Sequence, residues 1–193
     1  MIKLIVQDDI NMAKGMRDMS RTPLTNAEIV YVKSEIQKIG ADENIFVFND
    51  EEHIHSSTCY NFVEDRIYIT RNIFPDTKYG STHPRDLMSV GAVLAHEYYG
   101  HRTYREEYLA DYIKDPRFHT TEIWKDECRA SITAAKTTPN LTEKDKRDLV
   151  MDAIYRAQEY SHRIEMDDFM KGSLWVYKGR EKYYKRHWNN HIC

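Results

Sequence analysis

The chain has 193 residues, of which 41% are hydrophobic and 31% are charged, the balance of a globular domain large enough to bury a core. The formal net charge of −3 gives no reason to expect a polyanionic partner, and no apolar stretch reaches the roughly 18 residues of a transmembrane helix. The run MIKLIVQDDI is too short for a signal peptide, and three cysteines are too few for a disulfide framework. We therefore expect a cytoplasmic protein with reduced thiols and no membrane partner.

The first half of the chain predicts one helix followed by a small sheet. In TNAEIVYVKSEIQKIGAD, Thr25 and Glu28 occupy the positions of a capping box, and Gly40 ends the apolar stripe. NIFVFND alternates like a short strand. The β-rich runs IHSSTCYNF and RIYITRNIF flank a turn at 63–65, so they predict a hairpin.

The second half of the chain predicts helices. STHPRDLMSVGAVLAHEYYGHR is predicted as one helix that begins at Ser81 and Thr82, and YREEYLADYIKD and TTEIWKDECRASITAAK as two more. LTEKDKRDLVMDAIYRAQEYSHRIEMDDFM is predicted as a single long helix. The order of helix, strands and helices indicates an α+β fold, with a small sheet packed on several helices in a single domain over 1–193.

The segment VLAHEYYGHRTYR holds two histidines that are five residues apart. In a regular α-helix, residues four apart are about 40° out of line, whereas residues five apart diverge by roughly 140°. His96 and His101 can therefore share a metal only if one residue is inserted as a π-bulge. Gly100 directly precedes the second histidine, and glycine tolerates an unusual backbone. The sequence thus predicts a π-type widening with both imidazoles turned to one metal.

Catalytic zinc normally takes three protein ligands and a water molecule. Glu127 is the preferred third ligand because it is in line with Ala130 on the inward face of its predicted helix, and a metal would satisfy a buried carboxylate. Three other acids compete, on a helix so dense in charge that we expect a solvated face: Glu106, Glu107 and Asp111.

Two segments resemble the catalytic motifs of a known family. HEYYGH resembles the H-E-x-x-G-H motif of the dipeptidyl-peptidase III family of zinc peptidases, and DECRAS resembles that family's second motif, EECRAE. The resemblance implies zinc bound by His96, His101 and Glu127, with Glu97 as the general base. It also implies a minimal zincin-like fold of the branch that uses a glutamate as third ligand.

The chain departs from this family in several ways. Family members are several times longer and carry an additional domain that helps to form the substrate cleft. Asp126 and Ser131 replace acidic residues of the second motif, and the two motifs are closer together in this chain. We therefore expect the zinc chemistry of the family without its dipeptide-releasing specificity.

The ligand set predicts a zinc-dependent peptidase that acts on a peptide or protein. Zinc would activate a water molecule, and Glu97 would take its proton and pass it to the leaving amine. An extended peptide could add to the edge of the strand pair around 59–69. For the oxyanion, the candidate donors are His162 and Tyr160 on the predicted long helix, or one of the other tyrosines, and His162 is the one that we include among the catalytic residues.

Several other side chains have two possible roles. Tyr98 and Tyr99 either line the cleft or pack against the strands. His53 and His55 lie on one side of an extended segment, where a second metal is the less favoured interpretation. Cys128, next to the proposed ligand, is expected to be a packing residue.

The C-terminal segment 176–193 is basic and rich in aromatic residues. We favour a tail that docks on the more acidic body of the protein, rather than one that binds nucleic acid. Two alternative functions stay open: a nucleic-acid-associated protein that uses this tail, and an inactive scaffold with a structural zinc site. The sequence does not specify the substrate, the choice between endopeptidase and exopeptidase, or the oligomeric state.

Overall fold

The computed structural model describes residues 17–18, 20–53, 57–75, 84–115 and 123–175, and within them it confirms the predicted α+β class. Seven α-helices are found in these ranges: α1 Asn26–Lys38, α2 Pro84–Leu87, α3 Val90–Ala95, α4 Arg105–Lys114, α5 Ile123–Thr137, α6 Glu143–Glu159 and α7 Asp168–Trp175. Three strands form one sheet: β1 Phe46–Phe48, β2 Cys59–Asn61 and β3 Arg66–Ile69. No helix in the described ranges is both long and apolar enough to cross a membrane.

Helix α1 begins and ends where its sequence predicts. The Thr25 side chain accepts a hydrogen bond from the Glu28 backbone N–H, and the Glu28 carboxylate accepts one from the Thr25 backbone N–H, so the capping box is complete. Val32 and Ile36 face the core and are fully buried. Gly40 follows the helix with a φ of +70°, a conformation that glycine adopts at low cost.

The small sheet has the strand order β1-β3-β2. β2 and β3 are antiparallel, with Tyr60 opposite Ile67, which confirms the predicted hairpin. β1 pairs in parallel with β3 on its other side. Ile67 and Ile69 of the central strand are buried, so the sheet packs its apolar face against the helices. β2 lies at the edge of the sheet, where backbone groups are available to other partners.

The helix that we predicted from Ser81 is not continuous. Its start, 81–83, lies outside the described residues, and the chain then forms α2, breaks at Met88 and Ser89, and resumes as α3. Ser89 caps α3, because its Oγ accepts a hydrogen bond from the Ala92 N–H at 3.1 Å. The same hydroxyl donates to the buried Asp145 carboxylate at 2.7 Å. The cap is thus stabilised from α6.

The backbone around this break is held by one buried cation. The Arg17 guanidinium donates to the carbonyl oxygens of four residues: Asn72 at 2.8 Å, Ile73 at 2.8 Å, Arg85 at 2.9 Å and Met88 at 3.2 Å. A helix end leaves carbonyl groups without intrahelical partners. Arg17 satisfies two of those carbonyls and ties them to the 3₁₀ turn that follows β3.

The prediction of a single long C-terminal helix is also wrong, because the segment forms two helices. α6 ends at Glu159, because Ser161 takes a φ of +60° and the His162 N–H donates to the Ala157 carbonyl at 2.8 Å. This pattern is a Schellman-type helix end. The chain then turns and forms α7, which packs back on α6. α5 packs between α6 and the segment that carries the two histidines.

Candidate metal centre

The motif HEYYGH forms a π-helix over His96–His101, directly after α3. The prediction of a π-type widening is therefore confirmed. The wider turn brings the two imidazoles together, with Nε2 of His96 and Nε2 of His101 only 3.0 Å apart. A regular α-helix would have turned them to different faces.

Gly100 is required for a reason other than the one we predicted. Gly40 is the one glycine with a positive φ among the described residues, so the backbone at Gly100 needs no glycine. A Cβ atom at Gly100 would instead lie 2.6 Å from the Ala130 carbonyl oxygen of α5. The absence of a side chain lets α5 approach the π-helix closely enough for its own residues to reach the histidines.

We expect Gly100→Ala to destabilise the fold by about 1–3 kcal/mol, the usual cost of overpacking a core. Its new methyl group meets backbone, which cannot move aside like a flexible side chain. Urea unfolding with circular dichroism measures this loss. Gly172→Ala in α7 is the matched control, because nothing lies within 4 Å of its Cβ position. It should be neutral or stabilising by up to about 1 kcal/mol. Equal effects of both substitutions would contradict the packing role of Gly100.

Three residues form a group that could hold a metal ion: His96, His101 and Glu127. Glu127 Oε2 lies 3.2 Å from His96 Nε2, and Glu127 Oε1 lies 3.4 Å from His101 Nε2. Ligand atoms around a tetrahedral zinc, with bonds of about 2.0–2.1 Å, are about 3.3–3.4 Å apart. Two of the observed separations, 3.0 Å between the two histidine nitrogens and 3.2 Å from His96 to Glu127 Oε2, are close to this spacing, and His101 lies 3.4 Å from the other carboxylate oxygen, Oε1. The residues present therefore fit a small divalent cation.

Glu127 reaches this group from the inward face of α5, as its position relative to Ala130 predicts. Arg156 of α6 contacts the same carboxylate, with Nη1 2.9 Å from Glu127 Oε2. Burial opposes ionisation of Glu127, but the charges of Arg156 and His101 hold its pKa well below the usual range. The ion pair with Arg156 thus favours the anionic carboxylate and orients it.

The ring of His101 is held on its other side by a carboxylate. Nδ1 of His101 lies 3.4 Å from Asp126 Oδ2, and the Tyr108 hydroxyl donates to Asp126 Oδ1 at 2.7 Å. Burial disfavours the charged imidazole, but Glu127 and Asp126 raise the pKa of His101 well above its ordinary value. Sequence reasoning did not assign Asp126 a role. Its position directly before Glu127 in the second motif was the available signal.

The ring of His96 is held by a series of hydrogen bonds that runs through Ser131 to Asp152 of α6. Ser131 Oγ lies 2.9 Å from His96 Nδ1 and donates to Asp152 Oδ2 at 2.8 Å. Asp152 is completely buried and also accepts from Arg156 Nε at 2.8 Å. Burial opposes its charge, but Arg156 lowers the pKa of Asp152 below the usual value. Asp152 and Arg156 were missed because the sequence of α6 predicts a charged face beside an apolar stripe but does not show which of its charged side chains are buried.

Glu97 is buried next to the ligand group but does not belong to it. Its Oε2 accepts a hydrogen bond from the Tyr60 backbone N–H of the edge strand β2 at 2.9 Å. Burial raises the pKa of Glu97, although the two neighbouring histidines act in the opposite direction. The carboxylate predicted as general base is therefore fixed between the motif and the sheet edge.

His162 is not part of this cluster. It lies beyond the end of α6 rather than on a helix, it is exposed, and its ring stacks on Trp124 at 4.3 Å. Trp124 is one turn before Glu127 on α5, so His162 lies beside the helix that carries the candidate third ligand. Tyr160 caps α6 and is half exposed. Neither residue belongs to the ligand group.

The acids that competed with Glu127 lie on the solvated face of α4. Glu106 and Glu107 are exposed, and Glu107 pairs with Arg129 at 2.7 Å. Asp111 pairs with Lys114 one turn away on the same helix. The prediction of a solvated face is confirmed.

The remaining side chains of the motif pack rather than face the ligands. Tyr98 stacks on Phe46 of β1, and the Tyr99 hydroxyl donates to the Ile39 carbonyl at 2.8 Å. Cys128 is buried and donates to a backbone carbonyl of α6, and burial raises the pKa of its thiol to about 12. It is a packing residue, as predicted.

Two predictions concern residues in or next to the undescribed parts of the chain. His53 stacks on Tyr68 at 3.6 Å and contacts Asp50 through Nδ1 at 2.8 Å. His55, the other member of the proposed histidine pair, lies outside the described residues, as does the basic tail 176–193.

Comparisons of the chain with protein-family models, with curated proteins and with solved structures found no significant match. The likeness to the dipeptidyl-peptidase III family is thus confined to the two short motifs. The candidate metal centre is defined by its own residues and by their geometry.

Proposed function

We propose that the protein is a zinc-dependent peptidase. The observation that carries this proposal is the closeness of two imidazole nitrogens, 3.0 Å apart, to the Glu127 carboxylate, whose oxygens lie 3.2 Å from one ring and 3.4 Å from the other, next to a buried carboxylate that is outside this group. Two imidazoles and one carboxylate form a donor set that suits zinc. The additional carboxylate, Glu97, supports hydrolytic chemistry rather than metal storage.

His96, His101 and Glu127 would hold the zinc, which when bound polarises a carbonyl and makes a water molecule acidic. Glu97 would take up the proton of that water and deliver it to the leaving amine. The Tyr60 N–H keeps the Glu97 carboxylate in place through this cycle. Since that N–H belongs to the edge strand β2, a peptide aligned along β2 would lie beside the base.

The number of ligands favours a catalytic centre over a structural one. Structural zinc sites are normally closed by four protein ligands, whereas catalytic sites have three and an open position. The group formed by the described residues has three members. A structural zinc site is therefore the weaker alternative, and no contact in the described ranges favours nucleic-acid binding.

A chelator experiment tests the proposed function. We expect the full chain, loaded with one equivalent of zinc, to cut members of a mixed peptide library, as followed by mass spectrometry. Cleavage should stop with 1,10-phenanthroline, continue with the non-chelating 1,7-isomer, and return when zinc is added back, because the metal activates the nucleophile. Cleavage that is insensitive to 1,10-phenanthroline would refute a zinc mechanism. Bound zinc with no cleavage of any peptide would favour the structural site.

A further inference from the structure

We propose that Asp152 and Arg156, one turn apart on α6, are positioning residues for the metal ligands. Asp152 fixes the tautomer of His96 through the Ser131 hydroxyl, and Arg156 fixes the orientation of the Glu127 carboxylate. This inference rests on the metal centre of the proposed function, but not on peptide hydrolysis. A single helix that supplies no ligand would thus control ligands on two other helical segments.

The hydrogen-bond donors and acceptors between Asp152 and His96 fix which ring nitrogen of His96 carries the proton. An ionised carboxylate can only accept hydrogen bonds, so the Ser131 hydroxyl donates its one proton to Asp152 Oδ2 at 2.8 Å. The Ser131 oxygen must then accept from its other neighbour, His96 Nδ1, at 2.9 Å. Nδ1 of His96 therefore carries the ring proton. Its Nε2 is left with a lone pair that faces the other two ligands.

This tautomer leaves two acceptors facing each other. With the proton on Nδ1, the His96 Nε2 lone pair lies 3.2 Å from the anionic Glu127 Oε2. Two acceptors at this distance repel each other unless a cation or a proton lies between them. The arrangement is therefore prepared for a metal ion. Asp152 maintains it through the hydrogen bonds that run by way of Ser131 to His96.

Arg156 acts on the second ligand. Its guanidinium donates from Nε to Asp152 Oδ2 at 2.8 Å and lies with Nη1 2.9 Å from Glu127 Oε2. The planar fork of an arginine can hold two carboxylates in fixed directions at once, which the single ammonium group of lysine does not do. With Oε2 held by Arg156 on the side of His96, the other oxygen, Oε1, faces His101 at 3.4 Å. Arg156 and Asp152 are both largely buried, which restricts their motion.

The test uses the full chain and measures zinc affinity by competition with a chromophoric chelator. We expect Ser131→Ala and Asp152→Asn each to weaken zinc binding about 10–100-fold, the usual effect of losing an outer-shell partner. Both changes interrupt the same hydrogen-bond series from Asp152 to His96. The double variant should therefore bind zinc no more weakly than the single variant with the lower zinc affinity. Arg156→Lys keeps the charge but loses the fork, and we expect a loss of about tenfold.

Asp148→Asn is the matched control. Asp148 is buried on the same helix, one turn before Asp152, but it pairs with Lys144 and Arg147 rather than with the chain to His96. It should bind zinc within about twofold of the wild type, since it contacts no ligand or ligand partner. Losses that are equal in Asp148→Asn and Asp152→Asn would show a general effect of buried charge and would overturn the proposal.

A second readout needs no metal and no peptide. Long-range ¹H–¹⁵N spectra of the metal-free chain report which ring nitrogen of His96 carries the proton, with His96→Ala to assign its signals. We expect the Nδ1–H form in the wild type and a mixture of both forms in Ser131→Ala. Ser131→Ala leaves the pair of Asp152 and Arg156 intact, so it carries the test even if Asp152→Asn does not fold.

The outcomes separate this inference from the proposed function. An Nε2–H tautomer of His96 in the wild type, or a wild-type zinc affinity of Ser131→Ala, would overturn the role of Asp152. A wild-type affinity of Arg156→Lys would overturn the role of Arg156. A chain that shows the expected affinities and tautomer but cuts no peptide would contradict only the peptidase function.

Discussion

Glu97→Gln is expected to lower peptide hydrolysis by at least about a hundredfold while zinc content stays unchanged, because general-base catalysis typically contributes 10²–10⁴-fold. The amide has nearly the shape of the carboxylate but cannot accept the proton of the water molecule. Its oxygen can still accept the Tyr60 N–H, which now holds Glu97 at 2.9 Å. The buried site also loses a charge rather than gaining one, so the fold should be retained.

The rate is measured on a peptide whose cleavage depends on the chelator-sensitive activity, with zinc determined by mass spectrometry of the same samples. Glu106→Gln is the matched control, because it makes the same chemical change on the exposed face of α4 and should leave the rate unchanged. Undiminished cleavage by Glu97→Gln would exclude Glu97 as the base even if zinc is bound. A parallel loss of zinc would instead indicate that Glu97 is a ligand.

Glu127→Ala is expected to weaken zinc binding by more than the 10–100-fold that is typical of an outer-shell residue, because it removes one of three protein ligands. Wild-type protein should bind about one zinc per chain, and its melting temperature should rise with added zinc, since binding to the native state stabilises it. That rise should disappear in Glu127→Ala. His96→Ala and His101→Ala should behave in the same way.

Glu107→Ala is the control for the loss of a glutamate. Glu107 is exposed on α4 and pairs with Arg129, so its substitution should change neither zinc content nor the zinc-dependent rise in melting temperature. Full zinc occupancy in Glu127→Ala would disprove the third-ligand assignment. Zinc content that falls equally in both variants would point to a general loss of structure rather than to a missing ligand.

Local patterns in the sequence predicted the features that local chemistry determines. The capping box of Thr25 and Glu28, the hairpin and the π-helix each follow from residues close together in the chain. Glu127 was predicted from its place on an amphipathic helix, and the structure brings it to His96 and His101. In these cases the hydrophobic pattern of the segment and the polar residues placed within it predict the same contacts that the structure shows.

The features that sequence reasoning missed depend on residues that are far apart in the chain. The break before α3 is stabilised because Ser89 bonds to Asp145, which lies on α6. The support of His96 requires Ser131 and Asp152, from two different helices. Ser131 stands where the family's second motif has an acidic residue. Only the tertiary fold shows that the Asp152 carboxylate accepts a hydrogen bond from its hydroxyl. No pattern within one helix reports such a partner.

The contact between the π-helix and α5 also limits how the sequence can drift over evolutionary time. The nearest atoms to a side chain at Gly100 are the carbonyl oxygen, carbonyl carbon and Cα of Ala130, all of them backbone atoms. Every residue type has these atoms, so no replacement at Ala130 makes room for a larger residue at Gly100. A substitution at Gly100 therefore has no suppressor at Ala130. In a population of variants, Gly100 should therefore tolerate fewer neutral replacements than the core positions whose neighbours are side chains.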